Sequence, residues 1–299
     1  MDQQRPLVSI GIPTYCRASL LRRSIESALS QDYDNIEVVV SDNASTDDTE
    51  NVCRSYSLKD ARLKYVRQSR NRGATANFQS VLGHASGEYF MWLGDDDWLD
   101  ETYVRLCAAE LISDRRLSLV SGIPRYYRNG SASSVGEVFD LLHHSSWLRL
   151  FAYYLKVKDN GAFYGVMRTL QLKESSLRNT MGGDWLLIAA IVFMGKAKVL
   201  SGTAVHREMG GATTSYRKIA ESLGLPMYQA RFPMLSIAIS ASIGIASGDR
   251  VFSSKHEVER FIAAIGAFVT VLAKAGLAHL RARAQKVWRL FFGHSGTHD

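Results

Sequence analysis

The chain has 299 residues, 46% hydrophobic and 22% charged, which suits one large α/β domain with an appendage and excludes extensive disorder. Its formal net charge of +7 favours anionic partners such as nucleotide phosphates or lipid heads. The three cysteines, Cys16, Cys53 and Cys107, form no Cys-x-x-Cys pair, which argues against a disulfide framework or zinc site and for reduced thiols in a cytoplasmic protein.

The N-terminal stretch Met1 to Pro6 lacks the apolar core of a signal peptide. Residues 7–12 are a short apolar run stopped by Pro13, the pattern of a buried strand. Ser19 can cap a helix whose apolar positions are Leu20, Leu21, Ile25, Ala28 and Leu29. Residues 36–41 predict a second buried strand, and Asp47-x-x-Glu50 resembles a capping box opening the next helix. A third strand follows at 63–66, a helix at 75–85 and a fourth strand at 89–93. This alternation predicts a parallel sheet covered on both faces, with ligands bound beyond the carboxyl ends of the strands. Those ends carry Pro13-Thr14-Tyr15, Asp42-Asn43 and Asp95-Asp96-Asp97, so segments distant in sequence converge on one edge.

Beyond about residue 115 the pattern is irregular, with a strand expected at 161–169, an apolar helix at 184–194 and a strand at 197–206. From about residue 216 the chain reads as helical. The apolar stretches 232–246 and 261–273 both fall short of the roughly twenty residues that span a bilayer. The second runs into Arg281, Arg283, Lys286, Trp288, Arg289, Leu290, Phe291 and Phe292. That mixture suits a helix lying on an anionic membrane surface; a cap packed on the protein's own core is the other reading.

Three consecutive acids, Asp95, Asp96 and Asp97, follow an apolar strand and repel one another. Hard oxygen ligands of this kind suit Mg²⁺ or Mn²⁺, with a diphosphate completing the shell. A solvated acidic turn that caps the next helix is the plainer reading. Asp42 at the end of the second strand can accept a hydrogen bond from a base or ribose, whereas Thr46 and Asp47 suit helix capping. Asn71-Arg72-Gly73 after the third strand permits a tight turn, with Arg70 and Arg72 able to face phosphate.

The set Val8-Ser-Ile-Gly-Ile-Pro-Thr-Tyr15, Val39-Val-Ser-Asp-Asn-Ala-Ser-Thr-Asp47, Asn71-Arg-Gly73 and Trp92-Leu-Gly-Asp-Asp-Asp-Trp98 resembles glycosyltransferase family 2, in that family's order and spacing. The resemblance covers roughly residues 6–215. It implies an α/β GT-A fold, a Rossmann-like mixed sheet with helices on both faces, at 1–215. Residues 1–114 would form the nucleotide-sugar half and 115–215 the acceptor half, followed by a helical region at 216–299. It also implies an NDP-sugar donor, with UDP favoured, a Mn²⁺ or Mg²⁺ cofactor, and inversion at the anomeric carbon. Pro13, Thr14, Tyr15 and Arg17 would line the nucleotide pocket, with Asp42, Asn43, Asn71 and Gly73 beside it. Asp97 is the implied metal ligand with Asp95, and Asp96 lies next to the ribose. Gly94 stands where the family more often has Asp, so a contact is missing there or made by Asp95.

The family places a general base on a later helix, often within a Glu-Asp pair. Here Gly183-Asp184 sits at that place, so Asp184 is the expected base without a helper carboxylate. Helix capping is its alternative role. His206 and Arg207 resemble a later family stretch that continues through Gly210-Gly211, where cationic groups would meet the diphosphate; for His206 a structural hydrogen bond is the alternative. The implied acceptor is a saccharide or lipid-linked saccharide, and the implied place is the cytoplasm at the inner face of the membrane. Competing readings are a nucleotidyltransferase that makes an NDP-sugar and a non-catalytic nucleotide-binding scaffold. No nucleic-acid partner is expected, because the basic residues are dispersed and no binding motif is recognisable.

Overall fold

A computed structural model describes residues 5–128, 130–158, 160–209 and 215–292, with side chains as far as residue 277. The first half runs β1 (Val8–Thr14), α1 (Ala18–Leu29), β2 (Ile36–Asp42), α2 (Thr49–Ser57), β3 (Leu63–Arg67), α3 (Ala74–Gly83) and β4 (Tyr89–Trp92). These strands pair in parallel in the order β3-β2-β1-β4. Every residue of β1, β2 and β4 is buried, because helices cover both faces. Alternation divides them between two cores: Val38 and Val40 pack with Leu21 and Ile25, while Val39 packs with Val81 and Trp92. Gly11 lets α3 press onto β1, since a Cβ there would lie 2.4 Å from Val81 Cγ1.

The second half adds β5 (Trp98–Leu99), α4 (Tyr103–Ser113), β6 (Leu117–Arg128), β7 (Ser131–Val135), α5 (Ser146–Lys156) and a 3-10 turn at Gly161–Tyr164. Then follow β8 (Val166–Arg168), α6 (Thr169–Glu174), α7 (Gly183–Met194) and β9 (Lys196–Glu208). The sheet continues β4-β8-β6-β9-β5, with β7 on β6. It is mixed: β8 is antiparallel to β4 and β6, and β5 is antiparallel to β9.

Several expected elements are corrected. Ser19 does not cap α1; Arg17 holds the cap position and the Ala18 N–H donates to Asp47 (3.1 Å). Asp47 and Glu50 form no capping box, because Asp47 lies one residue ahead of the cap Asp48 and Glu50 pairs with Arg54 and Arg67. The strand expected at 161–169 is a 3-10 turn followed by three strand residues.

The chain ends in α8 (Tyr216–Leu223), α9 (Met227–Arg231), α10 (Pro233–Ala246) and α11 (Glu257–Phe292). One face of α10 and α11 completes the core of α5 and α7 through Ile237, Ala241, Ala264, Ala267 and Val271. The opposite face leaves Ile239, Ile243, Phe261, Ile262, Ile265 and Val269 exposed. The apolar span is longer than the sequence stretch at 261–273. The helix is unbroken from Glu257, and within the 21 residues Glu257–Leu277 an 18-residue window has mean hydropathy 1.6 with only 22% of it buried. The side chains from Arg281 to Phe292 lie outside the described residues.

Candidate active site

The acidic turn begins where β4 ends. The Asp97 N–H donates to the Gly94 carbonyl (3.1 Å), and Ser24 on α1 donates to the carbonyls of Gly94 and Asp97 (2.9 and 2.7 Å). A Cβ on Gly94 would lie 2.6 Å from Asp97 Oδ2, so the aspartate the family more often carries there would require the Asp97 side chain to shift. The three carboxylates are held by different partners. Thr14 Oγ1 donates to Asp95 Oδ2 (2.8 Å), and Arg17 Nη1 to Asp96 Oδ2 (3.0 Å). Arg207 Nε lies 3.5 Å from Asp97 Oδ2, and the Glu208 N–H donates to Asp97 Oδ1 (3.1 Å).

Burial and the Asp96 charge push Asp95 up to about 7. Burial pushes Asp97 up to about 6 against the opposing pull of Arg207, with Asp96 adding to the rise. Two crowded buried carboxyls with raised pKa suit an added cation. No three His, Cys, Asp or Glu side chains converge as a complete metal cage among the described residues, so a donor diphosphate would have to supply part of the shell.

At the neighbouring strand ends the residues brace one another. Asp42 is fully buried, accepting from the Ser45 N–H (2.8 Å) and from Tyr65 Oη (2.7 Å). Asn43 donates to Asn71 Oδ1 (2.8 Å) and accepts from the Arg72 N–H (2.9 Å), while Asn71 also accepts from the Gly73 N–H. Gly73 takes φ 85° as α3 begins, a left-handed conformation that suits glycine. Asp42, expected to touch base or ribose, is buried here and holds the 42–45 turn. Pro13 and Thr14 are buried in β1. The open groups at this edge are Tyr15, 45% exposed, with Arg17 and Arg72.

Asp184 stands at the start of α7, half-buried and still reachable. A Cβ on the preceding Gly183 would lie 2.1 Å from the Arg178 carbonyl oxygen, so the missing helper glutamate has no space. Asn160 Nδ2 donates to Asp184 Oδ2 (2.8 Å). Burial raises the Asp184 pKa, while the Asn160 bond, two α7 N–H groups and Arg207 work against the rise. Arg207 Nη2 donates to Tyr164 Oη (3.1 Å), and its guanidinium lies 4.2 Å from that ring. Tyr164 feels the charges of Arg207, Asp97, Asp96 and Asp184 together. Arg207 thus joins the acidic turn to Tyr164.

His206, expected beside the diphosphate, is engaged elsewhere. Its Nε2 lies 2.7 Å from Asp100 Oδ1 and its Nδ1 2.9 Å from Tyr127 Oη, and its ring stacks on Trp98. With both nitrogens engaged it ties β9 to β5, and strand alternation turns the adjacent Arg207 to the acids. Gly210 and Gly211 lie outside the described residues. Sequence reasoning missed Asn160, Tyr164 and Arg23. Arg23 donates to the Asp96 carbonyl (2.6 Å) and stacks over Trp98, yet in sequence it is one basic residue on a helix.

Fold and site together are those of the glycosyltransferases with a GT-A fold. A model of the family described as "Glycosyl transferase family 2" matches residues 9–176. The chain belongs to glycosyl transferase family 2. It is 39% identical over 95 residues to the "GalNAc(5)-diNAcBac-PP-undecaprenol beta-1,3-glucosyltransferase" of Campylobacter jejuni, covering 31% of each chain. The chain spans about a quarter to a third of the length of such curated relatives. Among solved structures it resembles S. aureus TarS 1–349 in complex with UDP-GlcNAc, with TM-score 0.55, 21% identity, and 89% of this chain and 81% of that one covered. It also resembles the mannosyltransferase PcManGT of Pyrobaculum calidifontis with GDP-Man and Mn²⁺, with TM-score 0.55, 17% identity, and 97% and 84% covered.

Proposed function

We propose that the chain is an inverting transferase that moves a sugar from an NDP-sugar, with UDP favoured, to the hydroxyl of a saccharide or lipid-linked saccharide in glycan assembly. The observation that carries this reading is the acidic turn at the end of β4, where Asp95 and the buried Asp97 meet Thr14 and the cationic Arg207, with a second carboxylate, Asp184, at the head of α7. The neighbour solved with UDP-GlcNAc and the relative named for an undecaprenol-linked acceptor support the donor and acceptor classes. The exposed apolar face of α10 and α11 supports contact with the inner face of the cytoplasmic membrane, where a lipid-linked acceptor would lie.

Asp97, with Asp95 beside it, would hold the divalent cation, as the raised pKa of both carboxyls and the Mn²⁺ in one neighbour support. A bound cation supplies charge that offsets the diphosphate. Arg207 keeps a positive charge beside Asp97, and Arg17 and Arg72 add cationic groups at the nucleotide edge. Asp184 takes the proton of the acceptor hydroxyl as its oxygen bonds the anomeric carbon. The bond from that carbon to the phosphate oxygen breaks on the opposite side, the electron pair leaves with the NDP, and the configuration inverts.

UDP release from UDP-GlcNAc with Mn²⁺, measured with and without candidate acceptors, tests the reading. Asp184→Asn should cut turnover by about 10²- to 10⁴-fold while UDP with Mn²⁺ still raises the Tm. Full turnover in Asp184→Asn would remove the base assignment. Nucleotide binding without turnover on any NDP-sugar would favour a scaffold.

A further inference from the structure

We propose that Asn160 is a positioning residue for the transfer step, holding the Asp184 carboxylate in place while Tyr153 fixes the Asn160 amide. This rests on Asp184 as the base. Asn160 is buried and takes the left-handed conformation at φ 50°, one of three non-glycine residues with positive φ among those described. It starts the 3-10 turn that carries Tyr164, yet its side chain caps nothing there. An asparagine at such a position commonly bonds the adjacent backbone. Here its Nδ2 donates to Asp184 Oδ2 (2.8 Å) and its Oδ1 accepts from Tyr153 Oη (2.7 Å).

The chain of bonds sets its own polarity. An ionised base can only accept, so the amide must present its NH₂ to Asp184 and its oxygen to Tyr153. Tyr153 lies on α5, fully buried, so its hydroxyl is held by the core rather than by solvent. The amide bond favours the ionised carboxylate, which burial disfavours. The other charged or titratable groups acting on Asp184 are Arg207 from β9 and Tyr164 from the 3-10 turn. The first is bound to Asp97 and the second to Arg207, so among the described residues Asn160 is the side chain that hydrogen-bonds to the Asp184 carboxylate.

The test uses the full chain and two readouts. The first needs no substrate: the ¹³C-carboxyl titration of Asp184, assigned by its loss in Asp184→Asn. Asn160→Gly keeps the left-handed backbone but removes the amide, and should move the Asp184 midpoint upward. Asn160→Asp sets two carboxylates face to face, so the pair shares a proton and the midpoint should move further upward. Tyr153→Phe should move it in the same direction by less. The second readout is UDP release from UDP-GlcNAc with Mn²⁺. Asn160→Gly should lower kcat roughly 10- to 100-fold at unchanged KM, the loss of one hydrogen bond to a charged group. The acid limb of the pH profile in Asn160→Asp should shift to higher pH.

A purely structural Asn160 would lower the Tm and leave the Asp184 midpoint and acid limb in place, and that result overturns the proposal. If Asp184→Asn itself keeps full UDP release, the base assignment falls and this inference with it. If Asp184→Asn is inactive and the Asn160 variants titrate and turn over as the parent does, only the positioning role falls.

Discussion

Asp95 and Asp97 occupy one turn, but their surroundings divide them: Asp95 faces Thr14 and Asp97 faces Arg207. Their raised values, about 7 and about 6, would make cation binding at this turn depend on pH near neutrality. A cation needs the ionised carboxylates, so protons compete with it as the pH falls through that window. Calorimetric titration of Mn²⁺ in the presence of UDP should show affinity about a hundredfold weaker near pH 5.5 than near pH 7.5, since both carboxylates must lose their protons. Equal affinities would place the cation away from these two residues. Asp95, Asp97 and Asp184 stood out as candidates because their residue types fit a known motif order. The role of His206 was not, because nothing in the sequence says that its two nitrogens face Asp100 and Tyr127 across the sheet.

Among the elements, β1, β2 and β4 were readable because helices on both faces require an unbroken apolar run. β6 was not, because Gly122 and Pro124 interrupt it and its far end turns polar at Arg125 and Arg128. An exception inside β2 is Glu37, a buried acid in an apolar strand. Burial alone would raise its pKa, but Lys64, Ser9 and Ser86 bond it and hold it down to about 2. A depressed native value stabilises the fold above the unfolded value of 4.5, and that contribution is lost as the pH falls toward about 2. Glu37→Gln should therefore lower the Tm by about 5 °C at pH 7, with the deficit closing as the pH approaches 2. Calorimetric scans across that range check it; a deficit constant with pH would mean that the charge of Glu37 contributes nothing.

At the scale of the molecule, α10 and α11 serve the core with one face and leave the other apolar and exposed. The two readings of the C-terminal region are therefore not exclusive. Removing α11 would strip Ala264, Ala267 and Val271 from the core, so substitution on the outer face tests membrane contact more cleanly than truncation. Phe261→Glu with Ile265→Glu should abolish sedimentation with vesicles of phosphatidylglycerol and phosphatidylethanolamine while leaving the Tm within about 2 °C. Vesicle binding equal to the parent's would rule this face out as the contact.

Sequence alone determined the parallel strands of the first half of the sheet and the acidic turn after β4, and singled out Asp184, because apolar periodicity and the order of short motifs are local properties of the chain. Tertiary structure alone decided what those groups touch. Asp42 braces its own turn, His206 ties strands together, and Arg207 bridges Asp97 and Tyr164. Asn160 reached Asp184 from another segment, across a fold that only long-range packing brings together. Hydrogen bonding and burial depend on neighbours distant in sequence, and that distance is what a linear pattern does not carry.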